Sequence, residues 1–140
     1  MKRSLSALVI TASTALVLSA CGGGSSTPLT AADVEPKLSS AGIACSETSS
    51  QPLEEGIGAT AVTCALGETG GIVVIVADSV DEVAKAKAEL CATVTPDQGN
   101  LDLAYGDTWL SVTLSTAGIG AQQVADALGG QVATTTDYCA

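Results

Sequence analysis

The apolar positions of this chain change period several times, and each change predicts an element. Residues 59–66 alternate, with Val62, Cys64 and Leu66 on one side, as a half-buried strand should. Residues 72–77, Ile-Val-Val-Ile-Val-Ala, have no polar face, which places that run in the middle of a sheet. The glycines of 67–71 supply a turn between the two strands. Ser79 then opens a helix with a capping box, its hydroxyl accepting from the Glu82 amide while the Glu82 side chain reaches back. That helix runs to about residue 92, with Val80, Val83, Ala84, Leu90 and Cys91 sharing one face.

Further on, Leu101, Leu103 and Tyr105 alternate, Gly106-Asp107 makes a tight turn, and Leu110, Val112 and Leu114 alternate back, which is a hairpin signal. A last helix over 119–128 turns Ile119, Val124 and Leu128 inward and stops at Gly129-Gly130. Residues 131–136 are β-prone and can return to the sheet edge. Ahead of all this, 33–41 reads as a short helix with Asp33 as its N-cap, so that Pro36 falls in the first turn where its missing N–H is harmless. Gly42 closes it, 43–46 is a short strand candidate, and 46–58 reads as a long polar loop.

The order strand, turn, strand, helix thus occurs twice, at 59–92 and 101–128, as a faint repeat of arrangement more than of sequence. The expected fold is α+β, a two-layer sandwich whose antiparallel sheet of about five strands carries its helices on one face.

Residues 1–20 have the layout of a secretory signal: Lys2 and Arg3 form a positive start, and 5–18 is an apolar run too short to span a bilayer. The run ends in Leu18-Ser19-Ala20-Cys21, which resembles the lipobox of bacterial lipoproteins. That resemblance is confined to residues 1–21. It implies cleavage before Cys21, a diacylglycerol on the Cys21 thiol, and a protein anchored at the extracytoplasmic face of the cell membrane. Residues 22–28, Gly-Gly-Gly-Ser-Ser-Thr-Pro, make a flexible tether. Residues 29–140 then form one domain, small enough that covalent staples help it.

Composition narrows the partners. The chain has 15 Asp and Glu against 5 Lys and Arg and no His. Once Lys2 and Arg3 leave with the signal, three lysines remain, so the mature domain repels nucleic acid and anionic headgroups alike. The bias toward Ala, Gly, Thr and Val with little Lys resembles that of the many small actinobacterial lipoproteins whose function is unknown.

With Cys21 set aside, Cys45, Cys64, Cys91 and Cys139 remain, an even number in an exported domain, which reads as two disulfides. The preferred pairing is Cys45 with Cys64 and Cys91 with Cys139, while a nested Cys45–Cys139 bridge stays open. No spacing fits a metal centre or a CxxC redox pair, and no cofactor is expected.

Candidate chemistry is sparse. Trp109 is out of phase with Leu110, Val112 and Leu114: either it is an exposed anchor that with Glu54 and Glu55 of the long loop defines a binding surface, or it packs beneath the helices or shields an edge. Glu54-Glu55, or Asp78, Asp81 and Glu82, could be imagined as paired catalytic carboxylates, although such residues beside turns and helix starts are more often solvated or capping. Asp97, Asn100, Asp102 and Asp107 offer oxygen ligands for calcium without EF-hand spacing. A serine nucleophile has no His to serve it, and Lys37, Lys85 and Lys87 all fall on helices. The preferred reading is a non-enzymatic, membrane-anchored module that binds an envelope protein or glycan, with an inhibitor-like role among the options. The alternative is an acid-based hydrolase or a calcium-binding domain using the Asp/Glu loops.

Overall fold

The structure, a computed structural model, describes residues 27–95, 100–114 and 118–140. The expected signal, Cys21 and the expected tether up to residue 26 lie outside the described residues, as does Asp97. Ten elements follow in order: α1 (Ala31–Ser40), β1 (Glu47–Pro52), β2 (Ala59–Ala65), β3 (Gly71–Ala77), α2 (Val80–Thr93), β4 (Asp102–Tyr105), β5 (Trp109–Leu114), α3 (Ala121–Leu128), β6 (Gln131–Thr134) and α4 (Thr135–Tyr138). The six strands form one antiparallel sheet in the order β1-β2-β3-β5-β4-β6. The α+β class, the antiparallel sheet and both disulfides agree with the sequence reading, with six strands in place of about five.

β3 is central and covered on both sides, as its wholly apolar sequence demands. Ile72, Val74 and Val76 face a core shared with Val34 and Leu38 of α1 and Val124 and Leu128 of α3. Ile75 and Ala77 face the other way, toward Val83, Ala86 and Leu90 of α2. The helices therefore cover both faces of the sheet and do not form a single layer. Connectivity explains this. β3 and β4 are both antiparallel to β5, hence parallel to each other, and α2 carries the chain across β5 between them. β5 and β6 are likewise parallel, joined by α3 across β4. Both crossovers advance in the same direction over the sheet but leave from antiparallel strands, so crossovers of the one favoured hand must lie on opposite faces. The repeat of strand, turn, strand, helix is real in order and broken in space.

Three local expectations change. Helix α1 is capped by Thr30, whose N–H and Oγ1 donate to Asp33 Oδ2 at 3.1 and 2.6 Å, so Asp33 is the third helical residue and not the N-cap. Pro36 consequently sits inside the helix, at a cost that can reach about 3 kcal/mol. Its ring is on the exposed side, and the helix is retained by complete burial of Val34 and Leu38. The polar stretch read as a loop contains β1, an edge strand whose six residues are all exposed, while 43–46 precedes it as non-strand. An edge strand facing solvent on both sides has no apolar period to betray it. In α2 the inner positions are Val83 and Ala86, whereas Val80 is 62% exposed and Ala84 is exposed too.

Candidate functional site

Trp109 is not a surface anchor. It begins β5 opposite Val76, is only 4% exposed, and belongs to the core beneath α1 and α3. A strand covered on both faces buries its out-of-phase residues as well as its in-phase ones, so of the readings that alternation left for Trp109 the one beneath the helices holds. Two glycines make room for the indole. A Cβ on Gly106 would collide with Trp109 Nε1, and one on Gly130 would collide with the Tyr105 carbonyl and lie 2.9 Å from Trp109 Cη2. Nothing near Trp109 in the sequence signals the Gly130 contact.

Glu54 and Glu55 are exposed in the turn that joins β1 to β2. Glu54 borders an apolar groove of about 260 Å³ on the α2 face, floored by Leu53, Ile57, Ile75 and Leu90. Trp109 packs on the opposite face, so the three residues proposed as one binding surface do not form one.

What sequence reasoning missed is a cleft of about 1000 Å³ at one end of the sheet. Four chain segments meet there: the entering residues Thr27, Pro28 and Leu29, the β4–β5 turn through Gly106, Asp107 and Thr108, the α3–β6 junction at Gly129 and Gly130, and the start of α2 at Val80. Gly129 ends α3 with φ +79°, the left-handed conformation that lets the chain turn directly into β6. The polar lining comes from Asp33, Lys37, Tyr105, Asp107, Thr108 and Gln131. The Tyr105 hydroxyl donates to Gln131 Oε1 at 3.1 Å across the β4–β6 pair. Asp33 is held below the usual carboxylate range by its hydrogen bonds from Thr30, with Lys37 contributing. Among the described lysines Lys37 lines this cleft; Lys85 is paired with Glu82 at 2.7 Å, and Lys87 lies 4.6 Å over the Tyr138 ring. Tyr138 in turn sits 4.9 Å from the Tyr105 ring, and burial, followed by Tyr105, pushes its phenol upward. The clue available in the sequence was the density of glycine at 106, 129 and 130, but it takes the fold to bring these together.

The other acidic candidates are dispersed. Ser79 Oγ accepts from the Glu82 N–H at 3.3 Å, half of the expected capping box. The Glu82 carboxylate does not reach back to Ser79; it accepts from Gly58 N–H and from Lys85 Nζ, both at 2.7 Å. Of the calcium set, Asn100 Oδ1 accepts from Thr135 Oγ1, Thr136 N–H and Thr136 Oγ1. Asp102 and Asp107 lie beyond opposite ends of the segment 103–105. Among the described residues no group of three or more His, Cys, Asp or Glu is placed to share a metal ion. No described helix is long and apolar enough to cross a membrane.

The cysteines are joined as expected. Cys45–Cys64 ties the approach to β1 onto β2, with S–S 2.03 Å, and Cys91–Cys139 ties the end of α2 to the end of the chain, with Cα atoms 5.6 Å apart. These features define a disulfide-stapled α+β domain with a six-stranded antiparallel sheet and a cleft at the end where the chain enters. The chain matches no protein-family model, no curated protein and no solved structure.

Proposed function

We propose that this protein is a lipid-anchored extracytoplasmic binding module, non-enzymatic, whose cleft receives an envelope component, protein or glycan. The observation that carries the reading is the position of the cleft beside the tether: Thr27, Pro28 and Leu29 form one of its walls. In the sequence Thr27 stands six residues after Cys21, a span of at most about 20 Å when fully extended. Lipidation at Cys21 would thus hold the cleft close to the membrane surface, where acyl chains contribute about 0.8 kcal/mol per buried methylene to retention. The acidic domain would meanwhile be repelled by anionic headgroups and held off the bilayer by its tether. Two disulfides suit an oxidising compartment.

The test is in-cell crosslinking and pull-down of the membrane-extracted protein, accompanied by its intact mass. A Cys21→Ala form and an Asp107→Ala, Thr108→Ala cleft form serve as comparisons. One reproducible partner, lost in both variants, is the expected result. An unmodified Cys21 would remove the anchor from this reading, and a partner retained by the cleft variant would remove the cleft.

A further inference from the structure

We propose that β1 is a docking edge, onto which an extended Lys/Arg-bearing segment of another protein adds as a seventh strand. This surface is distinct from the cleft and does not depend on the anchor. β1 is the outermost strand on its side of the sheet, and every one of its residues is exposed.

Register tells which backbone groups are free to pair. The β1–β2 ladder runs from Glu47 opposite Ala65 to Pro52 opposite Thr60, and its next pair is closed by the Leu53 N–H donating to Ala59 O at 2.9 Å. In an antiparallel ladder hydrogen-bonded pairs alternate, so residues 47, 49 and 51 turn their backbone toward β2. The remaining set, the N–H and C=O of Thr48 and Ser50 with the C=O of Pro52, points outward. The neighbouring ladder agrees: Leu66 N–H donates to Gly70 O at 2.8 Å, which directs the even-numbered residues of β2 toward β3 and the odd-numbered ones toward β1. Pro52 agrees as well, since at an outward position its missing N–H removes no ladder bond. The Cys45–Cys64 disulfide braces the approach to this edge, so an incoming strand meets a preorganised template.

Charge selects the occupant. Between residues 38 and 84 the chain has no Lys or Arg but carries Glu47, Glu54, Glu55, Glu68, Asp78 and Asp81, beside Glu82, which Lys85 pairs while its Nζ also donates to the Gly56 carbonyl at 3.4 Å. Glu47 lies in β1 and Glu54-Glu55 in the turn that follows it. A second copy of this chain would bring the same carboxylates against themselves, whereas a basic segment is attracted and steered. The opposite edge, β6, is four residues long and runs directly into α4, which leaves β1 as the longer template.

The experiment uses the membrane-extracted protein in detergent and two synthetic octapeptides, one alternating Lys with Val and one alternating Glu with Val, read by amide hydrogen exchange. The Lys peptide is expected to slow exchange at Thr48 and Ser50 about tenfold or more and leave Ser49, already bonded to β2, unchanged. Ser50→Pro removes only an outward N–H, so the fold should survive while protection at Thr48 disappears. Should that variant misfold, a Glu47→Lys, Glu54→Lys, Glu55→Lys form, with the backbone untouched, must switch preference to the Glu peptide. Equal protection by both peptides, protection that rises with protein concentration alone, or no protection at Thr48 and Ser50 would each overturn the proposal.

Discussion

The Glu82 carboxylate accepts the backbone N–H of Gly58 at 2.7 Å, fastening the start of α2 to the turn that precedes β2. The contact is close because residue 58 has no side chain; a Cβ there would lie 2.9 Å from Asp78 Oδ2 and 3.2 Å from Glu82 Cγ. The bond to Lys85 and then the one to Gly58 hold the Glu82 pKa below its ordinary value of 4.5. A carboxylate depressed in the folded state stabilises it above the unfolded pKa, and that contribution is lost as pH falls through the folded value. We therefore expect Glu82→Gln to lower the melting temperature at pH 7, and the gap from the parent to close in acid. A gap of constant size from pH 7 to below the carboxylate range would show that the charge on Glu82 has no part in it.

Trp109 is a core residue, so its removal should act on stability first. Trp109→Ala is expected to cost about 3–5 kcal/mol in urea denaturation. Gly130→Ala should also destabilise, by about 1–3 kcal/mol, because the new methyl group must displace the indole or the Tyr105 carbonyl. Since Trp109 is the only tryptophan, its emission reports the displacement directly. An unchanged emission maximum in Gly130→Ala would contradict the packing described.

The two disulfides close loops of different length, with sequence separations of 19 and 48 residues. In the chain-entropy account the shorter bridge contributes about 3 kcal/mol and the longer about 4. Replacing Cys91 and Cys139 by Ala should accordingly destabilise more than replacing Cys45 and Cys64. Urea midpoints in the reverse order would point to the burial of Cys64, at 1% exposure, as the larger effect.

Asn100 joins the start of the second hairpin to the end of the chain by accepting from Thr135 and Thr136. Asn100→Ala removes those acceptors and is expected to cost about 1–2 kcal/mol, with faster exchange at the Thr136 amide. Exchange there no faster than in the parent would mean that α4 is held without Asn100, by the paired bonds of Leu101 and Thr135, the packing of Tyr138 and the disulfide.

Much of this architecture was legible because it is written in neighbouring residues. The hairpins, the Ser79 cap, the glycine stop after α3 and the apolar run of β3 depend on periods of two or 3.6 and on backbone preferences that act over a few positions. The preferred cysteine pairing came from the same neighbour relations, but only the structure closes the nested Cys45–Cys139 alternative. Pro36 misled because its local cost is real, and only the burial of Val34 and Leu38 outweighs it.

By itself, then, the sequence determined most of the elements, the α+β class, the central place of β3 and a set of four cysteines that pair as two disulfides. Tertiary structure decided which face each helix covers, because the hand of a crossover is a property of strand order and not of any one segment. It decided that Trp109 is interior, since an alternating pattern identifies a face but not what lies over it. It also turned a polar stretch into the edge strand β1, and it brought Gly106, Gly129, Gly130 and the entering chain together around one cleft. Residues so far apart along the chain meet only after the sheet has formed, and no local rule carries that information.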